Sequence, residues 1–212
     1  MSIHSSGNTH TAATFDIDAR EADITGKPQR IRSLTPDEFD DQAKVLVTNL
    51  RASLGLSTEQ IPAVFGLMLR HPGLFKVQMD MGLQLFKCEI SPRERELAVL
   101  RVGWLCRAPF EWGEHVDIAK SYGITSEEIE RVTHGSAATG WTDHERAILK
   151  GVEELLGNQM LSDQTWNVLA TSWSEAQLVE FPMLVGQYYA TALQQNALRV
   201  TLAKVNPGLR HR

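Results

Sequence analysis

What most limits this 212-residue chain is the way its segments begin. Repeatedly a Ser or Thr, often with Pro beside it, precedes acidic residues and then apolar residues spaced three and four apart. "TSEEIERV" pairs Thr125 with Glu128, and "TDHERAILKG" pairs Thr142 with Glu145. This is the reciprocal capping box that satisfies the free amides at a helix N-terminus. Ser91-Pro92 opens "SPRERELAVLRVGWLCR", and Thr35-Pro36 opens a run carrying Phe39, Ala43, Leu46, Val47 and Leu50. Alternating β-branched runs joined by Asn-Gly turns are missing. The chain therefore reads as all-α, with about nine helices.

The spacing predicts a helix over 36–53, ended by Gly55, and a second one opened by Ser57 and Thr58. His71-Pro72-Gly73 breaks that second helix. Pro109 restarts the chain into "FEWGEHVDIAKSYG", which Gly123 stops. The last long run, "SEAQLVEFPMLVGQYYATALQQNALRV", holds Pro182, where a kink is expected. Residues 1–32 are polar, rich in small residues and aperiodic, so they read as a flexible N-terminal arm ahead of one helical domain over 33–206.

Composition removes several function classes. The net charge is −5 and no Lys/Arg run exceeds two, so neither nucleic acid nor an anionic membrane is an expected partner. No window approaches eighteen apolar residues, and the N-terminus has no apolar signal region. The two cysteines, Cys88 and Cys106, form no CxxC, which points to a reducing cytoplasm rather than a disulfide framework. His71, His134 and His144 lack metal-ligand spacing, and no glycine-rich nucleotide cradle is present, so no metal site or cofactor is expected.

Chemistry concentrates in "CRAPFEWGEH", residues 106–115. Glu111 and His115 lie four apart, on one helix face. A carboxylate beside an imidazole favours the protonated ring, which can then deliver a proton near neutral pH and take one back. The plain alternative is a solvated surface pair. Ala108, Trp112 and Ile118 on or near the same face favour a sheltered one. Glu96 sits among Leu97, Val99, Leu100 and Val102, and a carboxylate in such company needs a partner. It either pairs with Arg93 or Arg101 on its own helix or crosses to His115. Trp104 and Trp112 fit either a pocket wall or the core, and Tyr188 fits either substrate contact or packing.

The run "ERELAVLRVGWLCRAPFEWGEHVDIAKSYGITSEEIERV" resembles the carboxymuconolactone decarboxylase family, which includes the alkylhydroperoxidase D-like proteins. The likeness rests on a helical Glu, then E-W-x-x-H, then the Gly-Ile-Thr segment with its following Glu-Ile. It is specific over roughly 90–135 and looser toward 205. The resemblance implies an all-helical, cofactor-free fold that assembles into trimers or hexamers around pockets near subunit interfaces. The peroxidase branch carries C-x-x-C before the His, whereas this chain has Ala108 and Glu111 at those positions. The decarboxylase branch is the nearer match, mapping its functional residues onto Glu96, Glu111 and His115. It implies a lyase for an unsaturated lactone carboxylate, with His115 as proton donor, Glu111 orienting it and Glu96 holding substrate or water. Arg101 and Arg107 are the candidate cations for the substrate carboxylate, and Trp112, Cys106 and Tyr188 are further candidate substrate contacts. Lactone isomerisation or hydrolysis would use the same groups. A ligand-binding or assembly protein that has lost turnover, or a peroxidase relying on Cys106, are the other classes.

Overall fold

The computed structural model describes residues 15–54 and 63–212. Among them lie ten α-helices, three short 3-10 turns and no strand, as an all-α chain should give. The helices are α1 (Ile17–Ile24), α2 (Asp41–Leu54), α3 (Ala63–Met68), α4 (Pro72–Phe86), α5 (Pro92–Leu105), α6 (Pro109–Ser121), α7 (Ser126–His134), α8 (Asp143–Asn158), α9 (Asp163–Ala170) and α10 (Glu175–Leu198). α10 continues through Pro182. Among the described residues no helix is long and apolar enough to cross a membrane.

The helix starts follow the local chemistry. Ser91, Thr125 and Thr142 each close a capping box, with Glu94, Glu128 and Glu145 respectively. His71 both ends one segment and starts the next: its ring nitrogen accepts the Leu74 amide at 3.1 Å, capping α4. One start differs from expectation. Thr35 and Glu38 do form a box, but it closes only the 3-10 turn Pro36–Glu38. Phe39 is extended and buried, and Asp40 caps afresh by accepting the Ala43 amide at 2.7 Å. The helix expected over 36–53 therefore begins at Asp41. The expected stop at Gly55 and start at Ser57 and Thr58 lie outside the described residues.

The segment read as aperiodic over 1–32 contains α1, and residues 1–14 lie outside the described residues. A two-turn helix has little stability of its own. α1 is held from the far end of the chain: Glu21 Oε1 accepts the Leu209 amide at 2.7 Å, and Asp18 pairs with Arg210. Phe15 packs on Trp104 with ring centroids 5.0 Å apart.

α5 is the central element, packed against α6, α7, α8 and α10. Its residues from Arg95 to Gly103 are all buried. A helix buried all round has no solvated stripe, so each polar group on it must find a partner inside. Arg101 finds Glu153 at 3.1 Å and the carbonyls of Val132 and Thr133 at 3.0 and 2.9 Å. Gly135, at φ 72°, makes room for it: a Cβ there would lie 2.2 Å from the guanidinium. Arg93 donates to Glu145 at 2.9 Å and also to Glu128, tying together the capped starts of α5, α7 and α8.

The C-terminal segment closes over α6. Asn206 donates to Glu114 at 2.8 Å and lies so near Gly113 that a Cβ there would fall 1.7 Å from its amide oxygen. Only glycine permits that approach.

Candidate active site

α5, α6 and α10 meet at one buried line of polar groups. Glu96, fully buried on α5, places Oε2 2.7 Å from His115 Nδ1, while its Oε1 accepts from Arg95 Nε at 3.0 Å. The opposite ring nitrogen, His115 Nε2, lies 3.4 Å from Oε1 of Glu111, one turn earlier on α6. Glu111 Oε2 accepts from Gln195 Nε2 of α10 at 2.6 Å. Tyr188, two turns before Gln195 on α10, stands edge-on to the imidazole at 5.0 Å and 88°. The histidine is only 8% exposed. With a carboxylate against Nδ1, that nitrogen carries a proton and the ring orientation is fixed.

Burial alone would lower the imidazole pKa and raise both carboxyls. At His115, burial is outweighed by the Glu96 carboxylate, with Glu111 adding to it, so the imidazole sits above its ordinary value. At Glu96, burial is again outweighed, here by His115 and Arg95, and the carboxyl is held below the usual range. At Glu111 burial prevails over His115 and Gln195, and the carboxyl is pushed up. Two carboxyls on one ring are thus tuned apart: one is a fixed anion and the other is poised to exchange a proton.

These shifts set a pH window for stability. Glu96, depressed on folding, contributes stability above the unfolded carboxyl value of about 4.3, and this is lost as pH falls through its folded pKa. His115, raised, contributes fully below about 6.5 and loses its contribution as pH rises through its folded pKa. Glu111, also raised, costs stability progressively as pH rises above about 4.3. The thermal midpoint should therefore peak at about pH 5 and decline above about 6.5. Calorimetric scans over that range check this, and a midpoint still climbing at pH 8 would contradict it.

The structure brings Glu96, Glu111, His115 and Tyr188 together and places the other candidates elsewhere. Arg101 points away, locked on Glu153 and two carbonyls, because its helix position faces α7 and α8. Arg107 is exposed at φ 50° in the turn between α5 and α6, with its guanidinium 5.1 Å over Phe15. Neither is the cation beside the imidazole; that is Arg95, which no motif in the sequence singles out. Glu96 likewise pairs with neither Arg93 nor Arg101. Trp112 is a core residue, fully buried against Trp104, with its indole N–H on the His211 carbonyl at 3.0 Å. One residue past Glu111, it is rotated about 100° round α6, toward the C-terminal segment. The Cys106 thiol, pushed up to about 12 by burial and then by Glu111, lines a cleft bordered by α1, α5 and α10.

A cavity of about 180 Å³ abuts the line of polar groups. Phe65, Met68, Phe75, Met79 and Phe110 form apolar walls, while Tyr188 and Gln195, the neighbours of His115 and Glu111, complete the lining.

Residues 72–154, which hold Glu96, Glu111 and His115, match the sequence model of the Carboxymuconolactone decarboxylase family. This segment belongs to the carboxymuconolactone decarboxylase family. No curated protein matches the chain by sequence. Solved structures share its fold. An alkylhydroperoxidase core described as an uncharacterized peroxidase-related protein, from Ralstonia eutropha JMP134, superposes with a TM-score of 0.70 at 13% identity, over 84% of this chain and 94% of that one. A peroxidase-related protein from Silicibacter sp. TM1040 gives 0.68 at 14% identity, over 84% and 95%. A variant of the debrominase Bmp8 in complex with 2,3,4-tribromopyrrole gives 0.64 at 14% identity, over 84% and 94%. At these identities the likeness is one of fold, the alkylhydroperoxidase D-like all-α fold, and it carries the carboxymuconolactone decarboxylase segment at its centre.

Proposed function

We propose that this chain is a cofactor-independent enzyme that protonates carbon beside a conjugated carbonyl, acting as a carboxy-lyase on an unsaturated lactone carboxylate. One observation carries the reading: a buried imidazole held between two carboxyls tuned in opposite directions, at 2.7 and 3.4 Å. Glu96, anchored by Arg95, keeps Nδ1 protonated and the ring in place. Nε2 then carries the mobile proton toward the side of Glu111. The substrate's flat apolar body fits the aromatic cavity. As the bond to the carboxylate breaks and CO2 leaves, its electron pair moves into the conjugated carbonyl system. His115 Nε2–H gives its proton to the resulting carbanion carbon, and the ring recovers a proton from solvent through Glu111. One proton is consumed per CO2 released. Burial of these groups strengthens each charge interaction, and holding donor and carbon together favours the transfer.

A panel of lactone carboxylates, followed by CO2 release and by proton incorporation from D2O, tests the reading. Isomerisation or hydrolysis would show as product without CO2. Tight binding with no product would instead favour a ligand-binding protein and remove the lyase.

The peroxidase reading is disfavoured by the thiols. Cys88 and Cys106 are both free, and burial raises both above the ordinary thiol range, so neither is an activated thiolate at neutral pH. Changing Cys106→Ser is expected to leave any turnover within about twofold of wild type, since nothing in the proton path uses it. Loss of peroxide turnover in that variant would restore the peroxidase reading. The chain is further proposed to form a homo-oligomer: α4 and α10 expose Leu74, Val77, Val179 and Met183, which assembly would cover.

A further inference from the structure

A cleft of about 680 Å³ lies against α1, the end of α5 and the last turns of α10, apart from the aromatic cavity described above. Its charge balance is one-sided. Arg20, Lys27, Arg30 and Arg199 line it, opposed by Asp23 and Glu153. Both acids are already committed. Asp23 binds Lys27 at 2.6 Å, and Glu153 serves Arg101 and the backbone and hydroxyl of Ser136 at 2.9 and 2.6 Å. Arg20 donates to the Arg107 carbonyl at 3.0 Å and to the Cys106 carbonyl at 3.5 Å, so it caps the end of α5. Arg30 and Arg199 have no ion-pair partner among the described residues. Three guanidinium groups thus line one concave space, where the nearest acid, Asp23, is shared with Lys27 and leaves the cations in excess.

Arg199 is also placed against backbone preference. It ends α10 at φ 56°, ψ 56°, the left-handed conformation that favours glycine. Its N–H closes on the carbonyls of Asn196 and Gln195, which any residue could do, and the arginine lines the cleft. The walls are apolar: Leu105, Leu156 and Leu193, with Tyr189 beside them. Leu193 and Tyr189 remain 49% and 41% exposed, so apolar surface stays open for a ligand to cover.

We infer that this cleft is a second binding site, for a small organic anion with an apolar body, whose charged head is read by Arg30 and Arg199. The volume falls within the range of small-molecule sites, and low-dielectric walls concentrate the field of the cations. Arginine forks suit carboxylate and phosphate heads alike. The ligand would also bridge α1 to α10, adding a contact to an element otherwise held through Asp18, Arg20 and Glu21.

The test is calorimetric titration of the full chain with decanoate, with decyl phosphate, with decanol and with inorganic phosphate. Saturable binding is expected for decanoate and decyl phosphate, and the stronger of the two identifies the head group. Decanol and inorganic phosphate should each bind about tenfold more weakly or worse, since each lacks half of the recognition. Arg30→Gln combined with Arg199→Gly should weaken the anions about tenfold or more. Glycine at 199 suits the backbone and preserves the helix end, and circular dichroism confirms folding. His115→Gln should bind them as wild type does, which separates this site from the proposed proton chemistry. Undiminished affinity in the double variant, equal affinity for decanol, or no saturable binding would each overturn the inference.

Discussion

The His115→Gln protein is expected to keep its fold and lose turnover by about 10²- to 10⁴-fold on any lactone carboxylate the wild type accepts. Glutamine fills most of the ring's space and can still hydrogen-bond Glu96, which lies 2.7 Å from the imidazole. It cannot carry an acidic proton. The loss should therefore fall on kcat, with KM changed little, because the imidazole acts on the moving proton rather than on ground-state binding. Glu111→Gln should cost less and should flatten the alkaline side of the pH profile, since it removes the group that re-protonates the ring. CO2 release undiminished in His115→Gln would take the imidazole out of the mechanism.

Glu96→Leu is expected to destabilise the chain by roughly 3–5 kcal/mol, the cost of stripping one partner from a buried charge pair. Leucine is close in volume, so a cavity is not the cause. The cause is that Arg95, only 1% exposed, would keep the Phe86 carbonyl and the Phe86 ring but lose its anion, while His115 would lose the partner that keeps it charged. At about 2–4 °C per kcal/mol for a domain of this size, the thermal midpoint should fall by roughly 10 °C. The double variant Arg95→Met/Glu96→Leu should recover part of the loss, because removing both charges leaves none unpaired. A single-variant loss under about 1 kcal/mol would mean that this pair is not buried as described.

Much of the architecture was legible because it is encoded locally. The boxes at Thr125 and Thr142 and the start at Ser91 stand where the sequence places them, since a cap needs only residues three apart. The pairing of Glu111 with His115 also follows from spacing on one helix. What was not legible depends on distant chain. α1 is polar and short, and its anchors Leu209 and Arg210 lie nearly the whole sequence away. Arg101 looked free to meet a ligand because Glu153, its partner, lies on another helix 52 residues on. Arg95 is hidden for a different reason. Adjacent residues on a helix do not normally face each other, and α5 is buried on all sides, so periodicity gives no clue to which neighbour an arginine will choose. Trp112 fits either a pocket wall or the core by sequence, and the helical turn decides for the core.

The central claim is that a sheltered proton resides on His115, kept there by Glu96. NMR titration of ¹⁵N-labelled imidazoles reads it directly, with His115 identified by its absence from the His115→Gln spectrum. The account predicts a pKa above the ordinary value of about 6.5 for the wild type, an Nδ1 that stays protonated throughout, and a fall below that value in Glu96→Leu. An imidazole titrating at or below the ordinary value in the wild type, and unmoved by Glu96→Leu, would contradict it.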